Sequence, residues 1–105
     1  MRALVTGGAG YFGTSLVHLL QQRGYQCRVF DLNEPEPLPG LEVVRGDIRD
    51  PAAVRAACQD VEVIHHNVAQ VPLARDRHLF DSVNRQGTAN LLQAALEMGV
   101  GKVVY

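Results

Sequence analysis

The sequence predicts an α/β fold, a doubly wound parallel sheet with strand order 3-2-1-4-5 that is truncated at strand five. Short apolar runs alternate with amphipathic stretches along the whole chain, which is typical of parallel strands joined by helices. The first apolar run, Ala3-Leu4-Val5, leads directly into the glycine-rich stretch 6–13. Right-handed crossovers then place strands one and four side by side, and a ligand is expected in the crevice between them.

Apolar runs, glycines and prolines set the bounds of each element. Strands are predicted at residues 2–6, 25–31, 41–45, 61–65 and 103–105, and helices at 11–23, 51–58 and about 78–98. In the first helix Phe12, Leu16, Leu19 and Leu20 form the expected apolar stripe. Asp50 is the expected cap of the second helix, and Gly24 ends the first. Three prolines make residues 33–40 a loop, and residues 66–77 are predicted to be irregular.

Composition narrows the class of protein. The 105 residues suffice for one domain, and a net charge of −1 without a basic run argues against nucleic acid as a partner. No apolar run approaches the roughly 20 residues of a membrane span, so no membrane partner is expected. Two cysteines in apolar patterns favour buried, reduced thiols and a cytoplasmic location.

The last residues, Lys102 to Tyr105, have the pattern of a strand that is just beginning. We therefore expect residues 1–105 to be the N-terminal part of a longer protein. An apolar edge strand pairs readily with other chains, so the isolated chain is expected to self-associate.

The glycine-rich stretch indicates a diphosphate site. Glycine lets the backbone approach a ligand closely, and the N-terminus of the following helix offers unpaired N–H groups and partial positive charge. Two registers fit the motif: Gly8-x-Gly10-x-x-Gly13 and Gly7-x-x-Gly10-x-x-Gly13. The alternative is a tight turn without a ligand.

Asp31 follows Gly13 by 18 residues and ends strand two, where a carboxylate can accept hydrogen bonds from the ribose of an adenosine. The same charge would repel a 2′-phosphate, and neither Leu32 nor Asn33 supplies an arginine to bind one. NAD is therefore favoured over NADP. Arg28 and Arg45 are basic, but both lie inside strand patterns. The alternative role for Asp31 is that of an ordinary turn aspartate.

Other polar residues follow the later strands. Asp47-Ile48 follows strand three and could contact adenine, or Asp47 could simply stabilise its turn. His65 and His66 are adjacent in an extended segment and point opposite ways, so no metal site is expected. Asn84 could reach a cofactor or satisfy a loop carbonyl. No catalytic residues are visible in this chain, because it has no nucleophile elbow and no Tyr-x-x-x-Lys.

Taken together, the motifs resemble those of the extended short-chain dehydrogenases/reductases with a Rossmann-type fold. Within that group the chain is similar to the NAD-dependent epimerase/dehydratase family, which includes the UDP-galactose 4-epimerases. The resemblance lies in the stretches 6–13, 46–50, 84–92 and 103–105, together with Asp31, in the family's order.

The resemblance implies NAD as the cofactor and assigns cofactor-binding roles. The implied residues are Gly7, Gly10, Tyr11, Phe12, Gly13, Asp31, Leu32, Asn33, Asp47, Ile48, His66, Asn67, Val68, Ala69, Gln70 and Asn84. The stretch His65-His66-Asn67-Val68-Ala69 departs from the family's usual His-Leu-Ala-Ala. The catalytic tyrosine, lysine and serine or threonine, and the substrate lobe, would all lie beyond Tyr105. Residues 1–105 would then be the NAD(P)-binding domain of the longer protein.

Three functions are compatible with these motifs. The first is the NAD-binding segment of a sugar-nucleotide epimerase or dehydratase that acts by hydride transfer, with a nucleotide sugar as substrate and a homodimeric parent. The second is a non-catalytic NAD(P)-binding sensor of the same fold. The third is a related dehydrogenase acting on a sterol-like or small alcohol.

Overall fold

The structure, a computed structural model, describes residues 1–67 and 82–104. Its strands are β1 (Arg2–Thr6), β2 (Gln26–Asp31), β3 (Glu42–Arg45), β4 (Val63–His66) and β5 (Lys102–Val104). Its helices are α1 (Tyr11–Gln22), α2 (Pro51–Ala57) and α3 (Gly87–Glu97), the last preceded by a π-helical segment, Ser82–Gln86. No helix within the described residues is long and apolar enough to cross a membrane.

The five strands form one parallel sheet in the order β3-β2-β1-β4-β5, which confirms the predicted topology. Strand β1 lies at the centre, and Thr6 at its end is level with Phe30 of β2 and His66 of β4. The carboxyl ends of these three strands therefore meet at one edge of the sheet. Strands β2 and β3 are added on one side of β1, and β4 and β5 on the other. The strand order therefore reverses between β1 and β4, as predicted.

Each face of the sheet has its own core. On one face α2 and α3 pack over Leu4, Phe30 and Ile64, all at most 1% exposed. On the other face α1 packs over the sheet through Val17 and Leu20. Because β1 is buried on both faces, its central side chains are all apolar, which explains its continuous apolar run.

Arg28 joins the sheet to α2. Its buried guanidinium donates hydrogen bonds of 2.7 Å to the carbonyl oxygens of Ala57 and Gln59, which lie at the end of that helix. It also donates to Glu42 on β3. Carbonyl groups at a helix C-terminus lack intrahelical partners. The Arg28 guanidinium supplies hydrogen-bond donors to these two carbonyl oxygens and a positive charge at the negative end of the helix dipole.

Several local predictions hold. Asp50 caps α2 by accepting from the N–H groups of Ala52 and Ala53. Gly24 has a φ of +88° just beyond α1, as a helix-terminating glycine should. The cysteines Cys27 and Cys58 are buried free thiols, and burial raises the pKa of Cys58 to about 11.

The stripe predicted for α1 is wrong in two positions. Phe12 and Leu19 are 67% and 46% exposed, whereas Gly13, Val17 and Leu20 are buried. The apolar residues of this helix extend around more than half of its circumference, so periodicity alone does not identify the face that packs on the sheet.

Most element bounds agree with prediction to within a single residue, and two elements differ further. Strand β4 is shifted by up to two residues, so His66 is its last residue rather than the start of a loop. The third helix is π-helical at Ser82–Gln86 before it becomes α-helical, and its predicted start at His78 lies outside the described residues, as do Phe80, most of the loop predicted at 66–77, and Tyr105.

Candidate functional site

The turn after β1 is built from glycine backbone. Gly7 adopts a φ of +70°, and its carbonyl oxygen accepts from the N–H of Gly10 at 3.2 Å. The N–H of Gly7 donates to the carbonyl of Phe30, which ties the turn to β2. The Thr14 hydroxyl closes the turn by donating to the Gly10 carbonyl oxygen at 2.8 Å. The turn is therefore fixed at the end of β1 and at the first turn of α1.

Steric contact explains two of the glycines. A Cβ on Gly13 would lie 2.3 Å from the carbonyl oxygen of Gly7, and a Cβ on Gly8 would lie 2.6 Å from Val29 Cγ2. A Cβ on Gly10 would meet only the Gly7 oxygen, at an ordinary 3.5 Å. Gly13 thus permits close packing of helix on turn and Gly8 permits packing on β2, whereas space beside Gly10 is left open.

No side chain among the described residues caps the N-terminus of α1. Gly10 precedes the helix in an extended conformation without a side-chain hydrogen bond, and the first turn carries no acidic residue. The first intrahelical bond runs from the N–H of Thr14 to Gly10, so the preceding N–H groups, including those of Tyr11 and Phe12, have no acceptor within the helix. Such an end attracts an anion through both its N–H groups and its dipole.

Asp31 is brought to the glycine turn. Its Oδ2 accepts from the N–H of Ala9 at 3.0 Å, and its Oδ1 accepts from the N–H of Asn33 at 3.0 Å. Each carboxylate oxygen has a second lone pair for a ligand hydroxyl. The structure therefore joins Asp31 to the turn, while Leu32 between Asp31 and Asn33 is 57% exposed.

Asp47 and Ile48 follow β3 at the same edge. The Arg49 guanidinium donates hydrogen bonds to both carboxylate oxygens of Asp47 and holds the pKa of that carboxyl below its usual range. Ile48 is buried against α3, where a Cβ on Gly87 would lie 2.6 Å from its Cγ2. The Ile48 carbonyl oxygen accepts from Asn90 Nδ2. Hence the backbone of this turn is fixed, and Asp47 already has a cationic partner.

His66 connects β1 to α3. Its Nδ1 lies 2.7 Å from Thr6 Oγ1, and its Nε2 lies 3.2 Å from Thr88 Oγ1. Hydroxyl groups both donate and accept, so this pair satisfies a neutral imidazole in either tautomer. Burial lowers the pKa of His66 below its usual value. Because both ring nitrogens are occupied, His66 acts as a bridge between elements rather than a metal ligand.

Asn67 lies at the point where the strand order reverses. Its backbone N–H donates to Thr6 Oγ1 at 2.9 Å. Its side-chain Nδ2 is buried and has no hydrogen-bond partner among the residues that the structure describes. A buried amide donor without a partner is costly, so this atom is a candidate for a ligand contact.

The remaining predicted site residues divide into two groups. Asn84 is half-buried in the π-helical segment. Val68, Ala69 and Gln70 lie outside the described residues. Among residues 1–67 and 82–104 no three His, Cys, Asp or Glu side chains are placed to hold a metal ion.

Sequence reasoning missed Thr6, Thr14 and Thr88, whose hydroxyl groups hold the turn and the bridge. Thr88 follows Asn84 by four residues and so shares its helix face, which is a signal that could have identified it. Nothing in the local pattern distinguishes Thr6 from any other residue at a strand end.

The geometry fits a dinucleotide. The open space beside Gly10, the uncapped N-terminus of α1 and the anchored Asp31 suit a diphosphate followed by a ribose, and Asn67 Nδ2 supplies a donor at the strand reversal. The hydroxyl groups beside His66 belong to Thr6, which is fully buried, and to Thr88, and they hold the ring in place between β1 and α3. This edge of the sheet can therefore bind and orient a cofactor.

Comparison with known proteins also points to a dinucleotide-binding fold. A model described as the 3-beta hydroxysteroid dehydrogenase/isomerase family matches residues 4–105. The chain is 40% identical to the 3 beta-hydroxysteroid dehydrogenase/Delta 5-->4-isomerase of Mycobacterium tuberculosis, covering 99% of this chain and 30% of that protein. It is 48% identical to an uncharacterized protein of Sinorhizobium fredii, covering 98% of this chain and 26% of that protein.

Two solved structures are similar over the whole chain. The UDP-glucose 4-epimerase of Thermus thermophilus, in complex with NAD, is 35% identical with a TM-score of 0.90, and the chain covers 37% of it. The dTDP-glucose 4,6-dehydratase of Streptomyces venezuelae, with NAD and TYD bound, is 34% identical with a TM-score of 0.86, and the chain covers 38% of it. The chain thus spans less than two fifths of each of these relatives.

Proposed function

The chain belongs to the 3-beta hydroxysteroid dehydrogenase/isomerase family, and we propose that it is the NAD-binding segment of a longer NAD-dependent dehydrogenase. The observation that carries this proposal is the hydrogen bond between Asp31 and the Ala9 N–H, because it joins the diphosphate turn to the ribose-binding carboxylate. The cofactor agrees with that of the structural neighbours, several of which were crystallised with NAD.

A few residues of the glycine turn and of the neighbouring strand ends have the proposed binding roles. N–H groups at the start of α1 hold the diphosphate, and Gly13 keeps the helix close enough to the turn for them to converge. Asp31 accepts hydrogen bonds from ribose hydroxyl groups. Asn67 donates to the middle of the cofactor from the end of β4. NAD, when bound, supplies the group that accepts hydride.

Hydride transfer needs a group to take the proton from the substrate hydroxyl. We propose that this group is the tyrosine that the family resemblance places beyond Tyr105, in the longer protein, because the chain itself has no Tyr-x-x-x-Lys. The roles of the present residues are to orient the cofactor and to fix its adenosine end.

We propose a hydroxysteroid-like secondary alcohol as substrate. The match to the family model and the 40% identity to the mycobacterial dehydrogenase support it. A nucleotide sugar, the first expectation from the motifs, is the second candidate, and the similarity to the epimerase and dehydratase structures supports it. The homodimeric parent and the self-association of the isolated chain remain predictions.

An assay of the longer protein tests these candidates. Purified protein is incubated with NAD and either a 3β-hydroxysteroid or UDP-glucose, and both reduction of NAD and sugar epimerisation are followed. Steroid-dependent reduction supports the proposal, and epimerisation without it supports the second candidate. Binding of NAD without any reaction across both substrate classes would favour the non-catalytic sensor.

A further inference from the structure

Arg45 lies beside the residue that selects the ribose. It is the last residue of β3, and the strand register pairs it with Asp31 of β2. Paired residues of neighbouring parallel strands, about 4.8 Å apart, present their side chains to the same face of the sheet. Arg45 and Asp31 therefore occupy one face and one edge, although the sequence pattern had placed Arg45 inside a strand.

The guanidinium of Arg45 is held over the ribose-binding loop. Its Nη2 donates to the carbonyl oxygen of Leu32 at 3.2 Å, directly after Asp31. The residue is otherwise exposed, so most of its five N–H donors remain available to a ligand. This single contact orients the cation toward the loop.

The charge of Arg45 is not neutralised within the described part of the chain. Other arginines form ion pairs: Arg2 and Arg28 with Glu42, Arg49 with Asp47, and Arg55 with Glu97. Arg45 forms no such pair there, even with its register partner. The oxygens of Asp31 instead accept from the N–H groups of Ala9 and Asn33.

We propose that Arg45 is a specificity-determining residue of the adenosine end, a cation that binds a phosphate monoester on the ribose. This inference rests on the proposed function, since it assumes an adenosine at this edge. Asp31 repels such a phosphate, and Arg45 attracts it through two parallel N–H donors that match its oxygens. The preference for NAD over NADP is then a balance between two neighbouring side chains, and removing the charge of Asp31 tips it toward NADP.

The test compares 2′,5′-ADP with 5′-AMP, which differ only in the 2′-phosphate. Affinities are measured by calorimetry for the chain and for Asp31→Asn, Arg45→Ala and Asp31→Asn/Arg45→Ala. Asp31→Asn keeps an acceptor for the Ala9 N–H, and Arg23→Ala, which removes an exposed arginine at the C-terminal end of α1, is the charge-matched control. We expect the affinity ratio of 2′,5′-ADP to 5′-AMP to rise about tenfold or more in Asp31→Asn.

In the double variant that gain should be lost, and Arg45→Ala alone should lower the ratio relative to the unsubstituted chain. Arg23→Ala should leave it unchanged. Arg45→Ala therefore tests the inference even if Asp31→Asn does not fold. A ratio that is insensitive to Arg45 in a chain that binds 5′-AMP and NAD would overturn this inference alone. Absence of binding by any adenine nucleotide would overturn the proposed function, and this inference with it.

Discussion

The backbone N–H of Ala9 donates a 3.0 Å hydrogen bond to Asp31 Oδ2. The two residues are 22 positions apart, and the bond joins the glycine turn after β1 to the acidic end of β2. Removing the Asp31 carboxylate should therefore affect both the shape of the turn and the binding of ribose.

Gly13→Ala should destabilise the fold. The new Cβ would lie 2.3 Å from the Gly7 carbonyl oxygen, so helix and turn must separate, at a cost of roughly 1–3 kcal/mol in the free energy of unfolding. Urea denaturation measures this change. Gly10→Ala is the matched control, because its Cβ meets only ordinary contact, and it should stay within about 1 kcal/mol of the unsubstituted chain. Equal losses in the two variants would contradict the steric explanation.

Asn67→Ala should separate binding from stability. The buried Nδ2 has no partner among the described residues, so its removal should change the free energy of unfolding by less than about 1 kcal/mol. The affinity for NAD should fall by about tenfold if that donor contacts the cofactor. Thermal denaturation and NAD titration of the same preparation provide both values. Unchanged affinity would remove Asn67 from the site.

The sheet order, the glycine turn and Asp31 could be predicted because each depends on local signals: apolar runs, obligatory glycines and one acidic residue at a strand end. The face of α1 could not, because Phe12 and Leu19 are as apolar as the residues that pack on the sheet. The same limit applies across strands. The position of Arg45 beside Asp31 depends on the register of β2 with β3, which neither strand encodes alone.

His66 illustrates a different limit. The sequence places two histidines together without showing which of them ends the strand. Because the pairing of β4 with β1 places His66 opposite Thr6, the ring nitrogens of His66 hydrogen-bond Thr6 and Thr88 instead of solvent. The π-helical segment at Ser82–Gln86 was not predicted either, since its composition does not differ from that of an α-helix.

Stability should fall as the pH drops below about 6.5, the usual pKa of histidine. Burial lowers the pKa of folded His66, so the unfolded chain takes up the proton first and is favoured as the pH falls toward the folded pKa. The stability that neutral His66 contributes is therefore fully present above the pKa of histidine in the unfolded chain, and it is lost as the pH falls toward the lower pKa of the folded state. His66→Gln should reduce this dependence, measured as melting temperature between about pH 7.5 and 5.5, although the lowered pKa of His65 leaves part of it. His18→Gln, exposed on α1, is the control, and an unchanged pH profile in His66→Gln would contradict the explanation.

Arg28→Met should destabilise the chain far more than Arg2→Met, although both arginines pair with Glu42. Arg28 is buried and also satisfies the Ala57 and Gln59 carbonyl groups, so its loss should cost roughly 2–3 kcal/mol. Arg2 is more exposed, and its loss should cost less than about 1 kcal/mol. Urea denaturation of the two variants measures the difference. Similar losses would show that the ion pair with Glu42, rather than the cap on α2, is what stabilises this corner.

Calorimetric titration of the chain with NAD tests the central claim, that the glycine turn and Asp31 form one cofactor site. We expect saturable binding that weakens by about tenfold or more in Asp31→Ala, and no change in Glu62→Ala, which removes the same charge just before β4. Absence of saturable binding, or equal affinity in Asp31→Ala and the unsubstituted chain, would contradict the claim.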